Sequence, residues 1–169
     1  MTGPRKQKLR IADADLPKEH LEAIGEITVS WNYVSNLVEV AIWGLLGLTV
    51  NQGTALTAPI FFLPRLSMLQ SVGVNYFKGK SQLQAFKDLH AKISAAYAER
   101  NKIEHATWQH VHPSMPVMKV RIAKTTAIHP EIVKLEDLQD FGQTIIKLVM
   151  ELNGFMEAHI PEPSRSKQP

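Results

Sequence analysis

A mainly α fold, an up-and-down bundle of four principal helices with a small β-hairpin before the last helix, is what this 169-residue chain predicts. Three observations carry that expectation. Apolar residues recur at spacings of three and four along four stretches, the signature of helices turned toward a core. The period then drops to two over residues 118–122, as in a strand. A composition of 44% hydrophobic and 21% charged residues suits one core at this length.

The first helix is expected to begin at Asp15, Leu16 and Pro17, with the proline in the first turn. Ile24, Ile27, Trp31, Val34, Val38, Ala41, Leu45 and Leu48 form its core face. Val29, Tyr33, Leu37, Val40 and Trp43 add a second apolar face, which predicts a central helix, and Gly44 and Gly47 loosen its end. Asn51, Gln52 and Gly53 mark a break, and Pro59 and Pro64 divide the next segment into two shorter pieces, the second running from about Pro64 to Phe77. Gly79 stops it, and Ser81 is placed to cap the next helix. That helix spans about Gln82 to Ala106, with Phe86, Leu89, Ile93, Ala96, Tyr97 and Ile103 on one stripe.

Trp108 to His112 and Met118 to Ile122 read as the two strands of the hairpin, with Pro113 and Pro116 bracketing the turn. Leu135, Leu138, Phe141, Ile145, Leu148, Val149, Leu152 and Met156 trace the final helix, which Pro161 and Pro163 end. Residues 1–16 and 161–169 read as flexible tails around a 17–160 helical domain.

The net charge of +3 resides in those tails, since Arg5, Lys6, Lys8, Arg10, Arg165 and Lys167 outnumber Asp13, Asp15 and Glu162 there and leave residues 17–160 neutral. Any nucleic-acid attraction by the body therefore needs a local basic site. The absence of cysteine excludes disulfides, thiolate zinc sites and a cysteine nucleophile. No apolar run follows the N-terminal basic residues before Leu21, and Leu37–Val50 carries Glu39 and is shorter than the roughly 20 residues that span a bilayer. The expectation is a cytoplasmic protein without membrane association.

The third long helix carries the chemistry. With Phe86 at 0° and about 100° per residue, Leu89, Ile93 and Ala96 fall at about 300°, 340° and 280°, and Arg100 at about 320°. A guanidinium thus emerges within an apolar stripe, where an unpaired charge costs several kcal/mol. Glu104, four residues on, and Glu26 or Glu39 of the first helix are candidate internal partners; a bound phosphate is the other. Asn101 and His105 share a neighbouring face.

Arg100-Asn101-Lys102-Ile103-Glu104-His105 resembles the R-x(4-6)-H motif of HEPN domains, in which a polar residue often follows the arginine. The helical order resembles that family over about residues 18–160. The resemblance implies a bundle that pairs into a homodimer, bringing two Arg/His sets into one cleft, and often a metal-independent endoribonuclease. In that role His105 moves protons, Arg100 holds the scissile phosphate and Asn101 assists, without cofactor or metal. It also implies RNA as substrate and, for toxin members, an antitoxin protein as partner. One branch of the family has a tyrosine two residues after the histidine; Thr107 stands there, followed by Trp108. A noncatalytic module that binds RNA, a nucleotide or a protein through the same bundle is the alternative.

Other features have simpler readings. His110 and His112 share one side of a strand and could join His105 or His129 around a metal, but no carboxylate completes the spacing. Lys119, Arg121 and Lys124 read as a solvated edge, with contact to RNA backbone as the alternative. Trp31, Trp43, Tyr33 and Tyr97 are assigned to packing. Neither a glycine-rich phosphate loop nor a serine-nucleophile elbow is present.

Overall fold

The computed structural model describes residues 16–109, 116–122 and 128–164. The elements run in the order α1 (Lys18–Leu46), α2 (Val50–Thr57), α3 (Phe62–Tyr76), α4 (Leu83–Glu104), β1 (Thr107–Gln109), β2 (Met118–Ile122), β3 (Ile128–Ile132) and α5 (Leu135–His159). The fold is mainly α, with four long helices, one short helix and a small sheet before the last helix among the described residues.

Pro17 stands at the N-cap of α1, and Gly47 ends the helix in the left-handed conformation at φ 65°, a backbone state that costs glycine no steric strain. The expected core face is inside: Ile27, Trp31, Val34, Val38, Ala41 and Leu45 are buried. The second face is not uniformly covered. Leu37, Val40 and Trp43 are half-buried, whereas Val29 and Tyr33 are exposed. The cover reaches only the C-terminal half of α1, where α2 lies beside Trp43 and where Met156 and Ile160 line one cavity with Leu37 and Val40. Tyr33 is therefore a surface residue rather than a packing one.

The expected break at Asn51–Gly53 is instead helical. Thr49 and Gln52 form a reciprocal capping box, and buried Gly53 lies so close to the Trp43 indole that a side chain would overlap it. Capping and packing together outweigh the poor helix propensity of Asn51 and Gly53. Pro64 sits within the first turn of α3, where its missing N–H leaves no helical bond unmade, so the helix starts at Phe62. Gln82, not Ser81, occupies the N-cap of α4, without a side-chain cap.

Contacts fix the directions. Phe62 stacks on Tyr97 while Gly73 meets Phe86, so α3 runs antiparallel to α4. Phe86 faces Phe155 and Lys92 pairs with Glu151, so α4 runs antiparallel to α5. By contrast α1 runs parallel to α3 and α5: Trp31 meets Phe62 while Glu39 pairs with Arg65, and Ile27 lies near Gly142 while Gly44 lies against Pro161. The short α2, folded back on Trp43 and Glu39, makes the intervening reversal, so the core of α1, α3, α4 and α5 is not the up-and-down bundle expected. Past α5 the backbone turns over the end of α1: Pro161 lies against Gly44, and Val50 N–H donates to the Ser164 carbonyl at 3.2 Å. Residues 161–164 are thus docked on the bundle.

The sheet has three antiparallel strands in the order β1-β2-β3, one more than the hairpin predicted. Pro130 hid the third strand. It sits opposite Val120 on an edge strand, where half of the N–H groups face away from the ladder and proline is tolerated. The predicted solvated edge also fails at Lys119, which is buried with Val117 and Val133 on the side facing α4 and α5. Its neighbour across the ladder, Glu131, supplies the counter-charge at 3.1 Å. His110, His112, Pro113, Lys124 and the outer parts of both tails lie outside the described residues.

Candidate functional site

Arg100 leaves the last turn of α4 with its side chain only 20% exposed. Tyr97, one turn earlier, is stacked with Phe62 and adjoins Trp31. Because α3 begins at Phe62 and runs away toward Phe86, it does not cover α4 beyond Tyr97. The end of α4 therefore escapes the α3 layer and carries the motif residues.

The internal partner of Arg100 is Glu104, one helical turn on, which pairs with Nη2. Nη1 donates to Asn101 Oδ1 at 3.1 Å. Arg100 Nε and Glu104 Oε1 are buried and have no hydrogen-bond partner among the described residues. The pair is therefore half-satisfied, which is costly for groups removed from water. Neither of the two other candidate carboxylates meets Arg100: Glu26 is exposed and lies near Gly142 of α5, and Glu39 pairs with Arg65.

His105 is the C-cap of α4, exposed, with φ −97° and ψ 10°. Its backbone N–H donates to the Asn101 carbonyl at 3.2 Å. Among the described residues its ring makes no hydrogen bond. Asn101 thus touches both neighbours in the motif, Arg100 through its side chain and His105 through its backbone. Lys102 points outward to Glu99 at 2.7 Å.

Two further groups escaped the sequence reading. Trp108 on β1 donates its indole N–H to the Ile103 carbonyl at 3.2 Å, bridging the turn that carries His105. Arg65 and Glu39 form an ion pair between α3 and α1, joined by the Thr57 hydroxyl at 3.1 Å from Glu39 Oε2 and by Trp43 Nε1 at 3.1 Å from that hydroxyl. Burial lowers the Arg65 pKa, yet an arginine stays cationic at neutral pH. The signal in the sequence was a charge inside each of two apolar runs.

Among the described residues no three His, Cys, Asp or Glu side chains gather where they could hold a metal ion, and no helix is long and apolar enough to cross a membrane. No protein-family model matches the chain, and comparison with curated proteins and with solved structures found no significant similarity.

Proposed function

We propose that this chain is a metal-independent endoribonuclease of HEPN type that acts as a cytoplasmic homodimer, with RNA as substrate and, if it is a toxin, an antitoxin protein as partner. The observation that supports this reading is the joint hold of Asn101 on Arg100 and on the backbone of exposed His105 at the uncovered end of α4. In the proposed reaction His105 takes the proton of a ribose 2′-hydroxyl. The 2′-oxygen attacks phosphorus, the bond to the 5′-oxygen breaks, and that oxygen receives a proton from an imidazolium. The products are a 2′,3′-cyclic phosphate and a 5′-hydroxyl. Arg100 offers its planar fork to the phosphate and offsets the charge that grows there.

A second reading comes from the Arg100–Glu104 pair. If that pair persists on binding, the arginine braces the helix end and the bundle is a noncatalytic module for RNA, a nucleotide or a protein. One experiment decides between them. Purified protein in EDTA is incubated with RNA beside His105→Ala, with the melting temperature of both recorded. Cleavage by the wild type alone, with equal melting temperatures, is the expected result; equal activity or none in both discards the nuclease reading.

A further inference from the structure

We propose that Trp108 is a positioning residue that fixes where His105 stands. The proposal builds on the nuclease reading, but its central claim concerns the protein alone. A helix leaves its last four carbonyls without helical donors, and those buried in protein need another partner. At the end of α4 the Asn101 carbonyl takes the His105 N–H at 3.2 Å, while the Ile103 carbonyl receives only a long contact from Ala106 N–H at 3.4 Å. Ile103 is buried, so its carbonyl is poorly placed to use water. The Trp108 indole supplies the missing donor at 3.2 Å.

That bond crosses the two residues between α4 and β1. Trp108 is half-buried against the core, and its backbone lies in β1 opposite Lys119, so the donor is itself held on two sides. His105 has no such anchor for its ring: among the described residues the ring is exposed and makes no hydrogen bond. The backbone of the turn therefore fixes the point from which the imidazole projects, and the indole closes that turn. Catalytic groups tolerate little misplacement, so a residue remote from the reacting atoms can carry much of the rate. Of the three tryptophans, Trp31 and Trp43 serve the interior of the bundle, and Trp108 serves its candidate site.

The test uses the full chain with Trp108→Phe, which keeps an aromatic ring and removes the N–H. Amide exchange is read residue by residue without RNA. His105 and Ala106 are expected to exchange about tenfold faster, with Ile93 and Leu148 unchanged. Should the whole bundle exchange faster, benzothienylalanine at position 108, which replaces the N–H by sulfur at nearly constant shape, repeats the measurement. Unchanged exchange at His105 in that variant overturns the proposal. Single-turnover RNA cleavage in EDTA supplies the second readout: kcat is expected to fall about tenfold with KM within about twofold. Faster exchange with unaltered kcat also overturns the proposal. Faster exchange in a protein whose wild type does not cleave RNA leaves the clamp on His105 standing and removes the nuclease reading instead.

Discussion

Arg65 of α3 and Glu39 of α1 form an ion pair whose side chains are only 14% and 20% exposed, and the Thr57 hydroxyl of α2 joins it from the third side. Three helices thus meet at one charge pair. Its solvation cost is offset by attraction and by hydrogen bonds only while both partners are present.

Removing one partner is therefore expected to cost more than removing both. Arg65→Met alone strands the Glu39 carboxylate and should lower the unfolding free energy by about 3 kcal/mol. The double variant Arg65→Met with Glu39→Leu should recover most of that loss. Urea unfolding of the two single variants and the double variant measures the coupling, and additive losses would contradict it.

Gly73 lets the Phe86 ring of α4 lie directly against the α3 backbone. A methyl group there would overlap the Phe86 ring, which is itself buried. Gly73→Ala gains helix propensity worth about 1 kcal/mol yet forces the ring from its place, so a net loss of about 1–2 kcal/mol is expected in urea unfolding. A stabilised variant would show that the ring has room to move.

Lys119 and Glu131 divide their burial unequally, with side chains 7% and 62% exposed. The lysine bears most of the dehydration, while the carboxylate stays in water without it. Lys119→Met keeps the stem and drops the charge, and stability is expected to change by less than about 1 kcal/mol or to rise. Lys119→Ala, which also empties space beside Ile103 and Leu138, should cost about 2 kcal/mol. Thermal melting of both variants tests the distinction.

Arg100→Lys separates charge from shape at the candidate site. Lysine retains a cation for Glu104 but loses the planar fork. RNA cleavage in EDTA is expected to fall by about 10²-fold with little change in the urea midpoint. A large stability loss with unaltered cleavage would instead assign Arg100 to the scaffold.

Helix periodicity was the most legible feature of the chain. The buried set of α5, from Leu138 through Ile145, Leu148 and Leu152 to Met156, is the stripe that its spacing predicts. The motif at Arg100 was legible for the same reason, since position on a helix decides which neighbours a side chain has. Val29 and Tyr33 were misplaced because periodicity marks a face as apolar without saying whether another element reaches it. Lys119 was misplaced because the burial of a strand face depends on what packs there, and a lysine stem can line an apolar wall. Pro130 suppressed a strand whose edge position tolerates it.

Residue order by itself determined that four amphipathic stretches become helices, roughly where they start and stop, and that Arg100 shares a stripe with oily neighbours. These are local properties, governed by spacing and by caps within a few residues. Tertiary structure alone decided that Glu39 answers Arg65, that Trp108 closes the turn at His105, and that residues 161–164 return to α1. Those pairings join groups by contacts whose energies depend on distance and burial in space. Spacing along the chain encodes neither.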